Sequence, residues 1–383
     1  MLNLNSFLMS SLSPAPLLPS EAHQLLFHAA LDESGARDAW DKWAASNDLD
    51  DLDNAAARVL PLVYFNLQSQ GRSENLDGRV KGIYRYWWVR QQQLFSAFSG
   101  ALSVLENAKI PVLLLKGAPL SQTIYPDSGA RSMEDVDACV PLQHLPEAVR
   151  LLGEKNWKPT IPHYANSTLR HEVTLRLREK IELDMQRYAL EACRWQGFNE
   201  KIFGRAKPFN FRGHQVLIPS YEDHLLLICT HGMRWSKYPT YQWVYDAVLL
   251  LRQTEREGHD FNWPDFIALC RRTRLSKPAY EALSYVKREF NAPVPDDALR
   301  KLGKQRDGLI FQLEYAAKCT PPTFLTHIAL HVALFTRLQR YADSEKVGIR
   351  EYCRNYWNIS SVGDFIDFWK NRRAKNRPDN NHA

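Results

Sequence analysis

The sequence predicts an α+β fold, a small mixed-sheet core flanked by N- and C-terminal all-helical regions. Three observations predict it. Apolar residues recur at three- and four-residue spacing through the first hundred positions. At Ile110 the pattern changes to short apolar or alternating runs separated by short helical segments. Past Ile218 the helical spacing returns. The chain has 383 residues, 45% hydrophobic and 24% charged, which suits two or three modules of an ordinary globular protein.

Residues 1–20 are rich in Ser, Pro and Leu and are expected to be disordered. Residues 21–108 form the helical N-terminal region. Ser20 can cap a helix that starts EAHQLLFHAAL, with Leu25, Leu26 and Ala29 on one face. A long helix is expected over 78–108. The core spans 109–217. IPVLLLKG reads as a buried strand that ends at Gly117, followed by a short helix in APLSQTIY and a turn-rich loop in YPDSGARSM. DVDACV reads as a second strand, LQHLPEAVRLLGEKNW as a helix, and RHEVTLRLR and KIELDMQRY as two further alternating strands. Residues 218–370 form a helical C-terminal domain, and 371–383 a basic polar tail. No fixed-period repeat is present.

Lys plus Arg is 49 against 43 Asp plus Glu, a net charge of +6. That is compatible with a polyanionic substrate without demanding one. The six cysteines lie far apart with no CxxC pair, which argues against a zinc site or a disulfide framework and for reduced thiols in the cytoplasm. The N-terminus lacks the basic region of a signal peptide. The most apolar stretch, Phe324 to Phe335, is too short to span a bilayer and is expected to be a buried helix. No membrane span is expected, and the sequence does not define the oligomeric state.

Chemistry concentrates around Asp135-Val136-Asp137. Two carboxylates at i and i+2 on a strand share one face, so both can reach the same divalent cation. Mg²⁺, with Mn²⁺ as a substitute, prefers such oxygen ligands. Upstream, Lys116-Gly117-Ala118 joins a buried strand to a helix. A glycine there lets backbone N–H groups approach a phosphate, and Lys116 adds charge. Downstream, Glu182 and Asp184 again share a face, and either can supply a third acid that binds metal or takes a proton. Arg131 can meet a phosphate, hold the loop before Asp135, or pair with Glu134 or Asp127. His231, Asp246 and the tryptophans read first as packing or helix-internal residues.

The stretch LLLKGAPLSQTIYPDSGARSMEDVDACV resembles the uncharacterised bacterial nucleotidyltransferase family of the DNA polymerase β superfamily. The resemblance rests on Lys116, Gly117, Tyr125, Pro126, Arg131, Met133, Asp135 and Asp137 in that order, and continues through His231, Trp243 and Asp246 to about Pro295. It implies a polymerase β-type nucleotidyltransferase core. It also implies Mg²⁺ on Asp135, Asp137 and Glu182, and a nucleoside triphosphate held around Lys116, Gly117, Ala118 and Arg131. The implied reaction is transfer of a nucleoside monophosphate, ATP being one candidate donor, to an acceptor hydroxyl, with loss of pyrophosphate. Two positions depart from the pattern. Ala118 replaces the Gly or Ser of the superfamily turn. Asp184 stands where the family has a histidine two residues after the third acid, which places Glu182 in the acid slot. The acceptor is left open among a small molecule, a sugar, a peptide or protein side chain and an RNA end. The competing readings are a catalytically inactive nucleotide-binding or protein-interaction module and a tRNA-modifying, toxin-type transferase.

Overall fold

The computed structural model describes residues 17–73, 76–161, 170–178, 180–341, 347–357 and 363. The expectations for residues 1–16 and for the 371–383 tail lie outside them. Four helices open the described chain: α1 (Glu21–Leu31), α2 (Ala36–Ala44), α3 (Asn54–Ser69) and α4 (Gly78–Asn107). Side-chain oxygens cap three of them. Ser20, Asp53 and Asp77 accept from the backbone N–H of His23, Ala56 and Arg79, which satisfies otherwise orphaned donors in the first turns.

The core then runs β1 (Leu113–Leu115), α5 (Gly117–Thr123), β2 (Asp135–Cys139), α6 (Leu145–Glu154), β3 (Lys158–Pro159), β4 (Glu172–Leu177), β5 (Ile181–Gln186), α7 (Gln196–Arg205), β6 (Lys207–Phe211) and β7 (His214–Ile218). The seven strands make one mixed sheet in the order β3-β4-β5-β2-β1-β7-β6. The β2–β5 and β1–β7 pairs are parallel and the rest antiparallel.

Three features differ from the sequence expectation. The first strand is only three residues long, because the chain from Ile110 to Val112 is not laddered except for Leu217 N–H to Val112 O at 2.8 Å. A helix and a hairpin, α7 and β6–β7, follow the expected last strand. The strand β3 also lies outside the alternating runs. Their apolar content is too sparse to show a period: β6 is mostly exposed, as expected of an edge strand.

Alternation sorts the sheet into two faces. One face (Leu114, Val136, Ala138, Leu183, Met185, Val173, Leu175) packs against α4 and α6 through Phe95, Phe98, Leu102, Leu145 and Leu152. The other face carries Leu113, Leu115 and Cys139, which join the larger helical core. That core includes the C-terminal helices α8 (Tyr221–Gly232), α9 (Gln242–Arg256), α10 (Trp263–Thr273), α11 (Ser276–Phe290) and α12 (Asp296–Gly303). Helices α13 (Leu309–Lys318), α14 (Phe324–Tyr341) and α15 (Ile349–Trp357) complete the described chain. The expected buried helix from Phe324 is only partly buried. Ala333 is inaccessible, whereas Leu325 is 75% exposed and Val332 50%.

A buried ion pair joins the core to the C-terminal helices. Arg131, just before β2, meets Asp246 of α9 through two parallel bonds, Nε to Oδ1 and Nη2 to Oδ2, both 2.8 Å. The Tyr125 hydroxyl donates to the same carboxylate at 2.5 Å. Arg131 pairs with neither Glu134 nor Asp127: Arg58 takes the first and the Tyr84 hydroxyl the second. Asp246 reaches out of its helical region rather than pairing within it. Both charges of the clamp are buried, at 7% and 6% side-chain exposure. Removing one partner leaves an uncompensated charge, a loss of about 3–5 kcal/mol. Asp246→Asn is therefore expected to lower unfolding stability by an amount in that range, measured by urea titration. A change below about 0.5 kcal/mol would show that the pair is not holding the two regions together.

Candidate active-site cleft

A cavity of about 1130 Å³ lies between the second sheet face and the C-terminal helices. That exceeds the usual range of about 300–1,000 Å³ for ligand sites and leaves room for two substrates. Its sheet side is acidic. Asp137 of β2 stands opposite Asp184 of β5, and Asp135 opposite Glu182. On β4, Thr174 stands opposite Asp184 and Glu172 opposite Gln186. Partners in register share a face, so all these side chains rise from the same side.

They do not all reach the cavity. Asp135, Asp137, Asp184 and Glu172 line it. Glu182 instead binds Arg176, with Nε donating to Oε1 at 3.0 Å, and its side chain is 38% exposed. The structure thus brings Asp184, rather than Glu182, to the paired aspartates. Glu172 is a residue the sequence reading missed. The alternation of EVTLRL already placed Glu172 and Thr174 on one face, but only the β4–β5 register sets that face beside Asp184.

Lys116 sits where the sequence placed it, at the end of β1. Its Nζ donates to Asp137 Oδ1 at 2.6 Å, and Gln186 Nε2 donates to the same oxygen at 2.6 Å. Burial works against the Lys116 charge, but Asp137, Asp135 and Glu172 outweigh it and hold the ammonium above its ordinary pKa. The Lys116 backbone has φ +52°, a left-handed conformation that costs a non-glycine residue about 1–3 kcal/mol and is retained only where its surroundings impose it. Gly117 has a different reason to be glycine from the one expected. A Cβ there would come within 2.3 Å of Arg131 Nη1 and 2.6 Å of the Met133 sulfur. The glycine makes room for the clamp beside the paired aspartates. Ala118 is buried next to it.

The loop ahead of Asp135 is fixed from three helices. Gln91 of α4 donates to the Arg131 carbonyl at 3.3 Å. Gln242 of α9 donates to the Ser132 carbonyl at 2.7 Å, and the Ser132 hydroxyl donates to the Arg58 carbonyl of α3 at 3.1 Å. His231 lies on the opposite wall of the cavity and accepts from Arg234 at 3.1 Å. Trp243 packs on Gly232, where a Cβ would meet its ring at 2.1 Å. His171, just before β4, also lines the cavity.

Negative charge is in excess on the sheet side. Loss of water, then Asp137 and Asp184, push the Asp135 carboxyl up to about 7, although the residue still meets solvent at the cleft mouth. Loss of water, then Glu172 and Asp137, push Asp184 up to about 7, against a lowering hydrogen bond from Thr174. Glu172 is also raised, by burial first. Asp184 Oδ1 is buried with no hydrogen-bond partner. An orphaned carboxylate oxygen, an all-oxygen donor set and surplus negative charge fit a hard divalent cation. As positioned, no three His, Cys, Asp or Glu groups among the described residues converge on one ion, and Lys116 occupies one oxygen of Asp137.

The class that fold and cleft define is an α+β protein with a carboxylate cluster on one sheet face, closed over by helices. The chain belongs to the family described as uncharacterised nucleotidyltransferase (NTP_transf_5), which matches residues 47–291, well over half its length. The match reaches back to α3 and forward to the end of α11. Two solved structures are similar in part. The solution structure of the antibiotic-resistance factor ANT(2″)-Ia matches at 11% identity and TM-score 0.33, over 45% of this chain and 89% of that one. The crystal structure of an antigenic nucleotidyltransferase-like protein from Paracoccidioides brasiliensis matches at 15% identity and TM-score 0.34, over 55% and 93%. No curated protein matches the chain. Among the described residues no helix is long and apolar enough to cross a membrane, and all six cysteines are free.

The raised carboxyls make a pH prediction. A carboxyl whose folded pKa lies near 7 binds its proton more tightly folded than unfolded, where the value is about 3.9. Stability of the metal-free protein should therefore fall as pH rises from about 4 to about 7 and then level off. Asp184→Asn should remove part of that slope and melt higher than wild type at pH 8. A variant that melts lower at pH 8, with an unchanged slope, would show that Asp184 is not crowded by its neighbours.

Proposed function

We propose that the cleft transfers a nucleoside monophosphate from a nucleoside triphosphate to an acceptor hydroxyl, in the manner of a polymerase β-type nucleotidyltransferase. The observation that carries this reading is Asp135, Asp137 and Asp184 rising from adjacent parallel strands into one cavity beside Lys116. Family membership supports that reaction class.

Asp135, Asp137 and Asp184 would hold Mg²⁺, or Mn²⁺ in its place. A cation there supplies charge that offsets the phosphate oxygens and the attacking oxygen. Lys116, released from Asp137, turns its ammonium to the phosphates, and the peptide groups of Gly117 and Ala118 lie beside it. Arg131 acts as a positioning residue, since its Nε–Nη2 edge is committed to Asp246. The acceptor oxygen attacks the α-phosphorus, and the bond to the oxygen bridging toward the β-phosphate breaks. Pyrophosphate leaves with that electron pair. The hydroxyl proton passes to Asp184 or Glu172, carboxyls that burial raises from their ordinary pKa in the metal-free protein. Most of the rate enhancement comes from positioning and preorganised charge. The free buried thiols are consistent with work in the cytoplasm.

The test is pyrophosphate release from each nucleoside triphosphate in a cell lysate depleted of small phosphatases. Asp135→Ala and Asp137→Ala should each lower release at least 100-fold with the fold retained by circular dichroism. Asp184→Asn should do likewise, whereas Glu182→Gln should stay within about threefold of wild type. Wild-type turnover by either aspartate variant would refute the reading. A large loss with Glu182→Gln alone would return the third-acid role to that residue.

A further inference from the structure

The wall facing the carboxylates carries the opposite charge, and the proposed transfer does not use it. Arg234 follows α8 and Lys318 ends α13. The two are neighbours in space, because the Trp235 N–H donates to the Lys318 carbonyl at 2.6 Å. Both line the cavity. Among the described residues the side-chain hydrogen bond of Arg234 goes to His231, a neutral acceptor, and to no carboxylate. Lys318 shares its acid. Glu314 meets Lys318 at 3.0 Å and Arg337 at 2.8 Å, so two cations stand on one carboxylate. Arg274, on the same cavity, has its Nε buried with no hydrogen-bond partner.

We infer that this wall binds an anionic group on the acceptor, a phosphate, sulfate or carboxylate, with Arg234 and Lys318 as its principal contacts. The inference rests on the transfer reading above.

Two neighbours report the same positive potential. Glu191 is half-exposed, and Lys318 and Arg194 hold its carboxyl well below its ordinary range. Burial, then Arg194, push His171 down to about 3. Glu172 stands at the seam, since both Asp137 of the acidic side and Arg234 of the basic side act on its pKa.

The placement favours the acceptor over the triphosphate tail. Lys116 follows β1, on one flank of the carboxylate strands. Glu172 and His171 open β4, on the other flank. Arg194 and Lys318 act on His171, as does Lys116 from across the sheet, so the basic wall meets that second flank. A cavity of this volume accommodates a nucleotide on the Lys116 side and a second ligand beyond Asp184. Positive charge here also disfavours a cationic acceptor, because a like charge set beside Arg234 and Lys318 is repelled.

Calorimetry with inorganic phosphate on the full chain tests this. Phosphate should bind wild type, bind about tenfold more weakly to Arg234→Gln and to Lys318→Gln, and regain part of the loss in Arg234→Lys. Melting temperatures control for folding, and Arg234 is exposed enough that its variants should fold. Protein saturated with the nucleotide that supports pyrophosphate release should still bind phosphate. Three results would overturn the inference: no phosphate binding, equal binding by the variants, or displacement of phosphate by nucleotide, which would give the wall to the nucleotide's own phosphates. Wall-dependent phosphate binding with no nucleotide turned over would instead sink the transfer reading. The acceptor assignment would fall with it, and the anion site would stand.

Discussion

Like-charge crowding on one face of a sheet is the constraint around which this molecule is arranged. The parallel β2–β5 register sets Asp137 beside Asp184, with Asp135 one step along, and β4 adds Glu172 on the same side. Ionised carboxylates this close repel one another, and those that are buried lose hydration. The fold compensates only in part. Lys116 and Gln186 both satisfy Asp137, while Asp184 keeps an oxygen with no partner. The uncompensated charge at this one place is what the proposed cation site rests on.

Keeping that face in place requires rigid support, and the loop ahead of β2 receives it. Helices α3, α4 and α9 each donate or accept a bond within three residues of that loop. The Arg131–Asp246 clamp is the strongest of these contacts, and its guanidinium lies where a side chain on Gly117 would be. The lysine turn, the clamp and the paired aspartates therefore form one packed unit. Second-sphere support of this kind keeps reacting groups within a fraction of an ångström of a working geometry.

Much of this was legible in the sequence. The change of hydrophobic period at Ile110, and its return past Ile218, marked out the sheet. The Asp-x-Asp spacing implied a shared face, and β2 places those side chains on one. Less legible was anything set by register between strands distant in sequence. Glu182 and Asp184 share a face by alternation, so only the Arg176 partner and the cavity outline separate them. Glu172 was invisible for the same reason. Arg131 illustrates another limit: its partner lies 115 residues away, and local spacing favoured nearer acids. The β6–β7 hairpin escaped because an exposed edge strand such as β6 needs no apolar period.

The cleft has two unlike sides, an acidic sheet and a basic helical wall, with Glu172 between them. The central claim concerns the acidic side, and direct titration with Mg²⁺ tests it most closely. The account predicts that binding strengthens as pH rises from 6 to 8, that protons are released as the ion binds, and that both effects vanish in Asp137→Ala. Metal binding that is independent of pH and unchanged in that variant would contradict it.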